Sequence, residues 1–398
     1  MINNIFMFYK NQFKLCNINI KLYIMFLHLF IIFILLLILF YGYVKIKFKF
    51  WFRQPVFHVH NLLYWLVPPG IIDENIPQKN SFTNFYNVEF DSFQKDKFCP
   101  NINFIQNYYL QLQDVKFSPT SNHIVPYLEN KVTYVSSFYD KHKNFKEMIG
   151  MMTSRKIELT IQNKKLDCFY VDYLCVHPDK RKQGIAPQLI QTHHYFQRRR
   201  NPNIYISLFK RENSINFLVP LVYYKSHGFD TTDWCFNVEL PQNYKIIECT
   251  NYNQSYWLDF IKNNLNSYKC IIKEEDINII NLIESKNLLI YGILNNNKLE
   301  GLYFLRDAAT LYKDKKGLDL IASIWKGEDK KWFVYGFNKI LLKLKHYKFL
   351  FIEGLTDNDF ILENIKLKYT PVCVSPTAYY LYNMGIRPIA SKDAFILL

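Results

Sequence analysis

From Leu22 to Val44 the chain is apolar on every side. The run holds no Lys, Arg, Asp or Glu, and His28 is its only titratable side chain apart from tyrosines. Wound as a helix at 1.5 Å per residue it would span about 34 Å, enough for a bilayer core of about 30 Å. A helix buried in a soluble core would keep a polar face, and this one has none. A cleaved signal peptide fits poorly, because the run is too long and no small-residue cleavage site follows. The pattern predicts one N-terminal membrane anchor over residues 22–44, behind a tail of residues 1–21.

Beyond the anchor, Lys45 to Val59 alternates and predicts a strand or extended arm. Residues 67–100 are loop-rich, with Pro68-Pro69-Gly70 and several Asn and Asp. A regular pattern begins near Phe145. Ile157, Leu159 and Ile161 alternate with polar residues, Asn163-Lys164-Lys165 supplies a turn, and Cys168 to Val176 returns as a strand. Ile185 to Arg199 is helical by composition and Ile204 to Phe209 is a strand. Leu218 to Tyr224 then leads into Ser226-His227-Gly228-Phe229.

A second half starts near Leu240-Pro241. Trp257 to Leu265 is an amphipathic helix, and Leu288–Leu294 and Leu299–Leu305 pair around Asn295-Asn296-Asn297. Trp332 to Leu344 is helical, Phe349 to Ile352 is a strand, and Ile361 to Leu367 is a short helix. Each half thus predicts strands, a helix and closing strands: an α+β fold of mixed sheets flanked by helices, divided into residues 45–240 and 241–398.

Composition narrows the partners. At 49% hydrophobic and 18% aromatic, the 398 residues can fill a substantial core in one large domain or two. The formal charge of +15 suits an acidic partner: coenzyme phosphates, anionic lipid headgroups or nucleic acid. No zinc-finger, helix-turn-helix or RNP signature supports nucleic acid. The eight cysteines include no Cys-x-x-Cys pair, which argues against a metal site and against a disulfide framework. Cys168 and Cys175, in strands, read as core thiols of a reducing compartment.

Candidate chemistry concentrates in Tyr170–Ile190, YVDYLCVHPDKRKQGIAPQLI. A strand, a Pro-started basic turn holding Gly184 and a helix N-terminus follow in the order that suits a coenzyme pyrophosphate. Arg181, Lys182, Gly184 and Ala186 sit where acyl-CoA acyltransferases of the GNAT type place their Arg/Gln-x-x-Gly-x-Gly/Ala loop. Leu174-Cys175-Val176-His177, Arg181, Ala186-Pro187 and Leu189-Ile190 resemble the central signature of N-myristoyltransferases (glycylpeptide N-tetradecanoyltransferases), N-F-L-C-V-H-x-x-x-R-x-x-R-x-A-P-x-L-I. Lys49-Phe50-Trp51-Phe52-Arg53-Gln54-Pro55-Val56 resembles that family's Y-x-F-W-x-T-Q-P-V element. Tyr379-Tyr380-Leu381-Tyr382-Asn383 and the apolar end Phe395-Ile396-Leu397-Leu398 resemble its Y-Y-L-Y-N-W element and tail. Three separated matches in one order span Lys49 to Leu398.

The resemblance implies two GNAT-like halves related by pseudo-symmetry, the first binding acyl-CoA and the second the peptide. It implies transfer of myristoyl from myristoyl-CoA, a substrate rather than a resident cofactor, to the N-terminal glycine of a protein. It assigns the oxyanion hole to the backbone N–H groups of Tyr173 and Leu174. Coenzyme contacts fall to Tyr173, Leu174, Cys175 and Val176, to Arg181, Lys182, Gly184, Ile185 and Ala186, and to Lys49, Phe50 and Trp51. The base would be the carboxylate of Leu398; burial would raise its pKa from about 3.3–3.7 and improve it. Phe50-Trp51 can also be read as an aromatic belt at a membrane interface. Lys45, Lys47, Lys49 and Arg53 after the anchor, against Lys10, Lys14 and Lys21 before it, place the catalytic body on the cytoplasmic side of a single-pass membrane protein.

Departures bear on the acceptor. Cys373-Val374-Ser375 stands where the family has Gly-Asp-Gly, Met384 follows Asn383 in place of Trp, and Asp172 replaces Asn before the oxyanion strand. The Thr-Ala-Gly and Leu-Pro-x-Pro groove motifs are not recognisable between Tyr205 and Pro220. Another GNAT-type acyltransferase, or a non-catalytic membrane-anchored acyl-CoA-binding protein, remains open on the sequence.

Overall fold

The computed structural model describes residues 2–141, 146–212, 217–235 and 239–398, with side chains from residue 23 onward. Phe145, where the regular pattern was expected to begin, lies outside the described residues. Contacts divide the chain into Met1–Gln54 and Pro55–Leu398.

The first unit is one long helix, α1, over Ile2–Lys47, followed by a 3-10 turn at Trp51–Arg53. Its apolar stretch is Tyr23–Lys47, and every side chain from Tyr23 to Tyr41 is exposed. Residues 2–21 belong to the same helix. One expectation is corrected in part: Lys45 to Arg53 forms no strand, while Val56 and His58 beyond it make isolated antiparallel bridges to Tyr382 and Leu218. The period-two pattern of Lys45 to Arg53 lies beyond a helix already nucleated, and extending a helix costs less than starting a new element. Phe48 N donates to Val44 O and Phe52 N to Phe48 O, both at 2.9 Å, so helical spacing carries through the alternating residues.

In the second unit the short helix α2, Leu62–Leu66, precedes one 15-stranded sheet among the described residues. Strands β1 (Thr133–Asp140), β2 (Glu147–Ile161) and β3 (Lys164–Val176) form an antiparallel meander. Helix α3, Ile185–Arg200, then leads to β4, Ile206–Glu212, parallel to β3. The strand β5 (Val222–Asp230) follows, then β6 (Cys270–Lys273). A second meander comprises β7 (Leu288–Asn295), β8 (Lys298–Tyr312) and β9 (Lys315–Trp325). Helix α4, Lys330–Lys343, leads to β10, Phe349–Glu353, parallel to β9. Last come β11 (Cys373–Tyr382) and β12 (Ala394–Leu397).

Across the sheet the order is β2-β3-β4-β11-β5-β10-β9-β8, which repeats itself in mirror order about its middle. Each meander ends in a helix and a parallel strand. Then the next strand crosses over: β5 pairs with β10, and β11 pairs with β4. At one edge β12 runs parallel to β6, which pairs with the far half of β2.

Local chemistry sets the register. The β2–β3 hairpin turns on Gln162 and Asn163, both at positive φ, one residue before the expected turn. A two-residue hairpin needs that left-handed pair to match the strand twist. The β7–β8 turn uses Asn296 and Asn297 in the same way.

Helix α3 is fixed to the sheet by a buried polar relay. His193 sits between Ser136 Oγ on β1 (2.8 Å) and Ser154 Oγ on β2 (2.7 Å), and Ser154 donates to Gln197 Oε1 at 2.7 Å. Burial lowers the pKa of His193 and of neighbouring His194 to about 3. Above pH 6.5 both are neutral whether folded or not, and this stability is complete. Between pH 6.5 and 3 the unfolded chain takes up protons that the native chain refuses. Stability is therefore expected to fall on acidification by about 1.4 kcal/mol per pH unit for each histidine. Thermal unfolding from pH 7.5 to 5 measures the slope, and His193→Gln should remove one proton from it.

Candidate functional site

Strand β3 changes character at its C-terminal end. Asp172 pairs with Thr153 and Cys175 with Met151, so Tyr173 and Leu174 together face the single Met152. This two-against-one mismatch is a β-bulge, and Tyr173 adopts φ +50° to make it. The bulge falls where β3 and β4 part, because their pairing covers only Cys168–Val171 with Ile206–Phe209. Tyr173 N–H donates to Asp172 Oδ1 at 2.9 Å, while Leu174 is exposed. Cys175 is buried, and burial pushes its thiol up to about 12, which makes it inert.

After Val176 comes the basic turn. Lys182 (φ +63°) and Gly184 (φ +79°) are both left-handed, and Gly184 caps α3. Lys182 and Gly184 are exposed, Ala186 is half-buried and Ile185 is buried. Helix α3 comes close to β2 at Gly150, where an added Cβ would meet Leu189 at 3.0 Å and Ile185 at 3.2 Å. The turn thus sets Lys182 two residues before the Gly184 cap of a 16-residue helix, whose first N–H groups favour an anion. Arg181 is engaged structurally: it donates to Val176 O at 3.1 Å and to Tyr108 O at 3.0 Å, stapling the turn.

A polar cluster that the sequence reading missed lies beside the bulge. Arg155 on β2 donates to Asp172 Oδ2 at 3.0 Å and to Glu274 Oε1 at 2.8 Å, and Lys131 also binds Glu274. The Arg155 guanidinium rests over the rings of Tyr127 (5.2 Å) and Tyr170 (4.7 Å). Burial works against this cation, but Glu274 and Asp172 outweigh it and hold its pKa high. Lys131 goes the other way: burial lowers it despite Glu274. Further along the sheet, Lys210 on β4 and the Tyr224 hydroxyl on β5 share Glu353 on β10, at 2.5 and 2.8 Å. Burial raises the phenols of Tyr170, Tyr224 and Tyr379, so all three stay neutral donors.

Leu398 closes this cluster. It is buried beyond β12, and its carbonyl oxygen accepts from Arg306 Nη1 at 3.0 Å. The same guanidinium donates through Nε (3.2 Å) and Nη2 (2.8 Å) to Asp319 Oδ2. One residue before it, Leu397 O accepts from the N–H of Glu274 at 3.3 Å. Leu398 is therefore joined to Asp172 and the bulge through Glu274 and Arg155. Burial opposes the Arg306 cation, but Asp319 keeps its pKa high.

Two other motifs have structural partners. Asn383, at φ +66°, ties the end of β11 to the segment after α2. Its amide donates to Asp73 O (2.7 Å) and Tyr205 O (3.2 Å), and its oxygen accepts from Asp73 N (2.8 Å). Lys49, Phe50 and Trp51 belong to the first unit, where the Phe50 and Trp51 rings meet edge to face at 5.2 Å.

Comparison with known proteins follows the same outline. Residues 79–219 match the family model of the myristoyl-CoA:protein N-myristoyltransferase N-terminal domain. No curated protein matches the chain. Among solved structures, a Saccharomyces cerevisiae N-myristoyltransferase with bound myristoyl-CoA is similar with a TM-score of 0.68 at 16% identity, covering 87% of this chain and 90% of that one. A second structure of that yeast protein with myristoyl-CoA gives a TM-score of 0.64 at 15% identity, over 86% and 94%. Residues 79–219 thus resemble the N-terminal domain of the N-myristoyltransferases, and the chain shares the fold of the yeast structures.

Proposed function

We propose that the chain transfers a myristoyl group from myristoyl-CoA to the amine of an N-terminal glycine. The observation that carries this reading is the bulge at Tyr173–Leu174, set at the parting of β3 and β4 and just ahead of the left-handed Lys182–Gly184 turn. An acyl thioester laid in that gap would have its pyrophosphate at the N-terminus of α3 and its carbonyl at the bulge. Main-chain donors there would bind the oxygen as it becomes an oxyanion, each contributing about 3–4 kcal/mol of barrier lowering.

The amine nitrogen attacks the thioester carbon, the C–S bond breaks, and CoA leaves as thiolate. The nitrogen loses its proton to the Leu398 carboxylate. Arg306 Nη1 donates to that carboxylate at 3.0 Å and holds it in place. Asp172 accepts from the Tyr173 N–H, and its second partner Arg155 balances its charge when an oxyanion takes that donor. Lys182, Gly184, Ile185 and Ala186 hold the coenzyme, and Arg181 shapes the turn. In this reading residues 45–240 bind acyl-CoA and 241–398 bind the acceptor. Helix α1 spans a membrane once, with the body on the cytoplasmic side.

Replacing Gly184 by alanine tests the coenzyme turn. A Cβ at φ +79° is strained by about 1–2 kcal/mol, and the expected result is roughly tenfold weaker acyl-CoA binding in a calorimetric titration. The reaction itself is tested on the full chain with labelled myristoyl-CoA and glycine-initiated peptides, where an amide product is expected. Strong preference for acetyl-CoA would instead assign a different GNAT-type transferase. Acyl-CoA binding with no transfer to any amine would assign a non-catalytic binding protein.

A further inference from the structure

The outward face of α2 is built apolar. Leu62, Leu63 and Leu66 are exposed at 72%, 68% and 78%, and Val67 next to them at 44%. This is not a frayed end, because the other residues of the turn are pinned inward. Tyr64 and Trp65 pack on Phe57 at ring distances of 5.5 and 5.0 Å, and Trp65 Nε1 donates to Val59 O at 3.2 Å. Tyr64 also lies against Gly385. Just downstream, Gly70–Ile71 pairs with Met384–Gly385, and Ile72 N donates to Asn383 O. The aromatic side of α2 thus grips the acceptor-side strands, and that grip turns three leucines outward together. Contiguous aliphatic exposure of this kind on a well-packed body marks a contact surface.

We propose that this face lies in the headgroup–acyl boundary of the membrane that α1 spans. The proposal rests on that reading of α1. Three observations favour lipid over another occupant. Only fourteen residues lie between Lys47, the end of α1, and Leu62, a tether of at most about 50 Å when fully extended. No Asp or Glu occurs before Asp73, so nothing in this region repels anionic headgroups. Lys45 and Lys47 in the last turn of α1, and Lys49 and Arg53 on the tether, attract them. A shallow apolar wedge beside basic residues is the pattern of interfacial membrane contacts. Through Asn383 the contact would hold the acceptor-side strands next to lipid, where a freshly acylated N-terminus partitions.

The test uses the full chain with Cys16, Cys99 and Cys235 changed to serine. Single Leu62→Cys, Leu63→Cys or Leu66→Cys substitutions carry a bimane label, in phosphatidylcholine–phosphatidylserine vesicles containing lipid brominated near the headgroup. Labels at all three positions should lose about half their emission, as expected for side chains some 5–10 Å deep. A label at Tyr252→Cys, a fully exposed site elsewhere, should keep its emission. If the chain resists carbonate extraction but the three labels stay bright, the docking fails and the span stands. If carbonate strips the chain from the vesicles, both fail. Equal quenching at Tyr252 would overturn a specific face. Labels shielded without bromine quenching, in a chain that cross-links to a second copy, would assign the face to a dimer and overturn the lipid assignment.

Discussion

Replacing Glu274 by alanine is expected to lower the unfolding temperature by roughly 10 °C. Glu274 is 1% exposed and is the carboxylate that Arg155 and Lys131 share. Its removal leaves two cations facing each other in a site where water cannot replace the lost charge. Removing one member of a buried pair typically costs about 3–5 kcal/mol. For a folded unit of this size each kcal/mol moves the midpoint by about 2–4 °C or slightly less. Calorimetry checks the shift. The double variant Arg155→Met with Glu274→Leu should recover most of it, because the penalty comes from the uncompensated charge rather than from the lost pair. If the single variant unfolds within a degree or two of the parent, the cluster is solvated and the account of it fails.

Adding one glycine after Leu398 is expected to lower kcat by about 10²- to 10⁴-fold, the usual worth of a positioned general base. The added residue moves the carboxylate off Arg306 and away from the amine, and leaves a peptide carbonyl that cannot take a proton. Leu398 itself can stay in its apolar seat among the strands of the first half. Acyl-CoA affinity should be unchanged, since the coenzyme turn is built on α3 and not on β12. Single-turnover kinetics alongside titration of the coenzyme separates the two. An unchanged kcat would exclude Leu398 as the base, and a falling melting temperature would trace the loss to packing instead.

What could be read from the sequence followed from local rules. The β2–β3 hairpin, α3 and the β7–β8 pair each carry their own periodicity and turn residues, and they stand within a few residues of where the pattern put them. Lys45–Arg53 misled because alternation alone cannot tell a strand from a helix extended through neighbouring lysines and aromatics. The charged cluster was hidden for another reason. Arg155, Lys210, Arg306 and Glu353 look like solvated positions on alternating strands, and their partners lie far away along the chain, as Glu274 does from Arg155 and Leu398 from Arg306. A charge on the inward phase of a strand was the available signal. Arg181 shows the opposite case: a motif residue in its expected place, whose guanidinium is spent on two main-chain carbonyls.

The crossing of β5 and β11 interlocks the two meanders. A fragment ending near Pro241 would leave β4 without its neighbour β11, and β5 with both flanks bare. Neither piece could then be produced alone without gaining a sticky, aggregation-prone border. Assembly during synthesis must wait for the last quarter of the polypeptide, so the early part depends on being shielded until Tyr379–Tyr382 emerges to fill the gap.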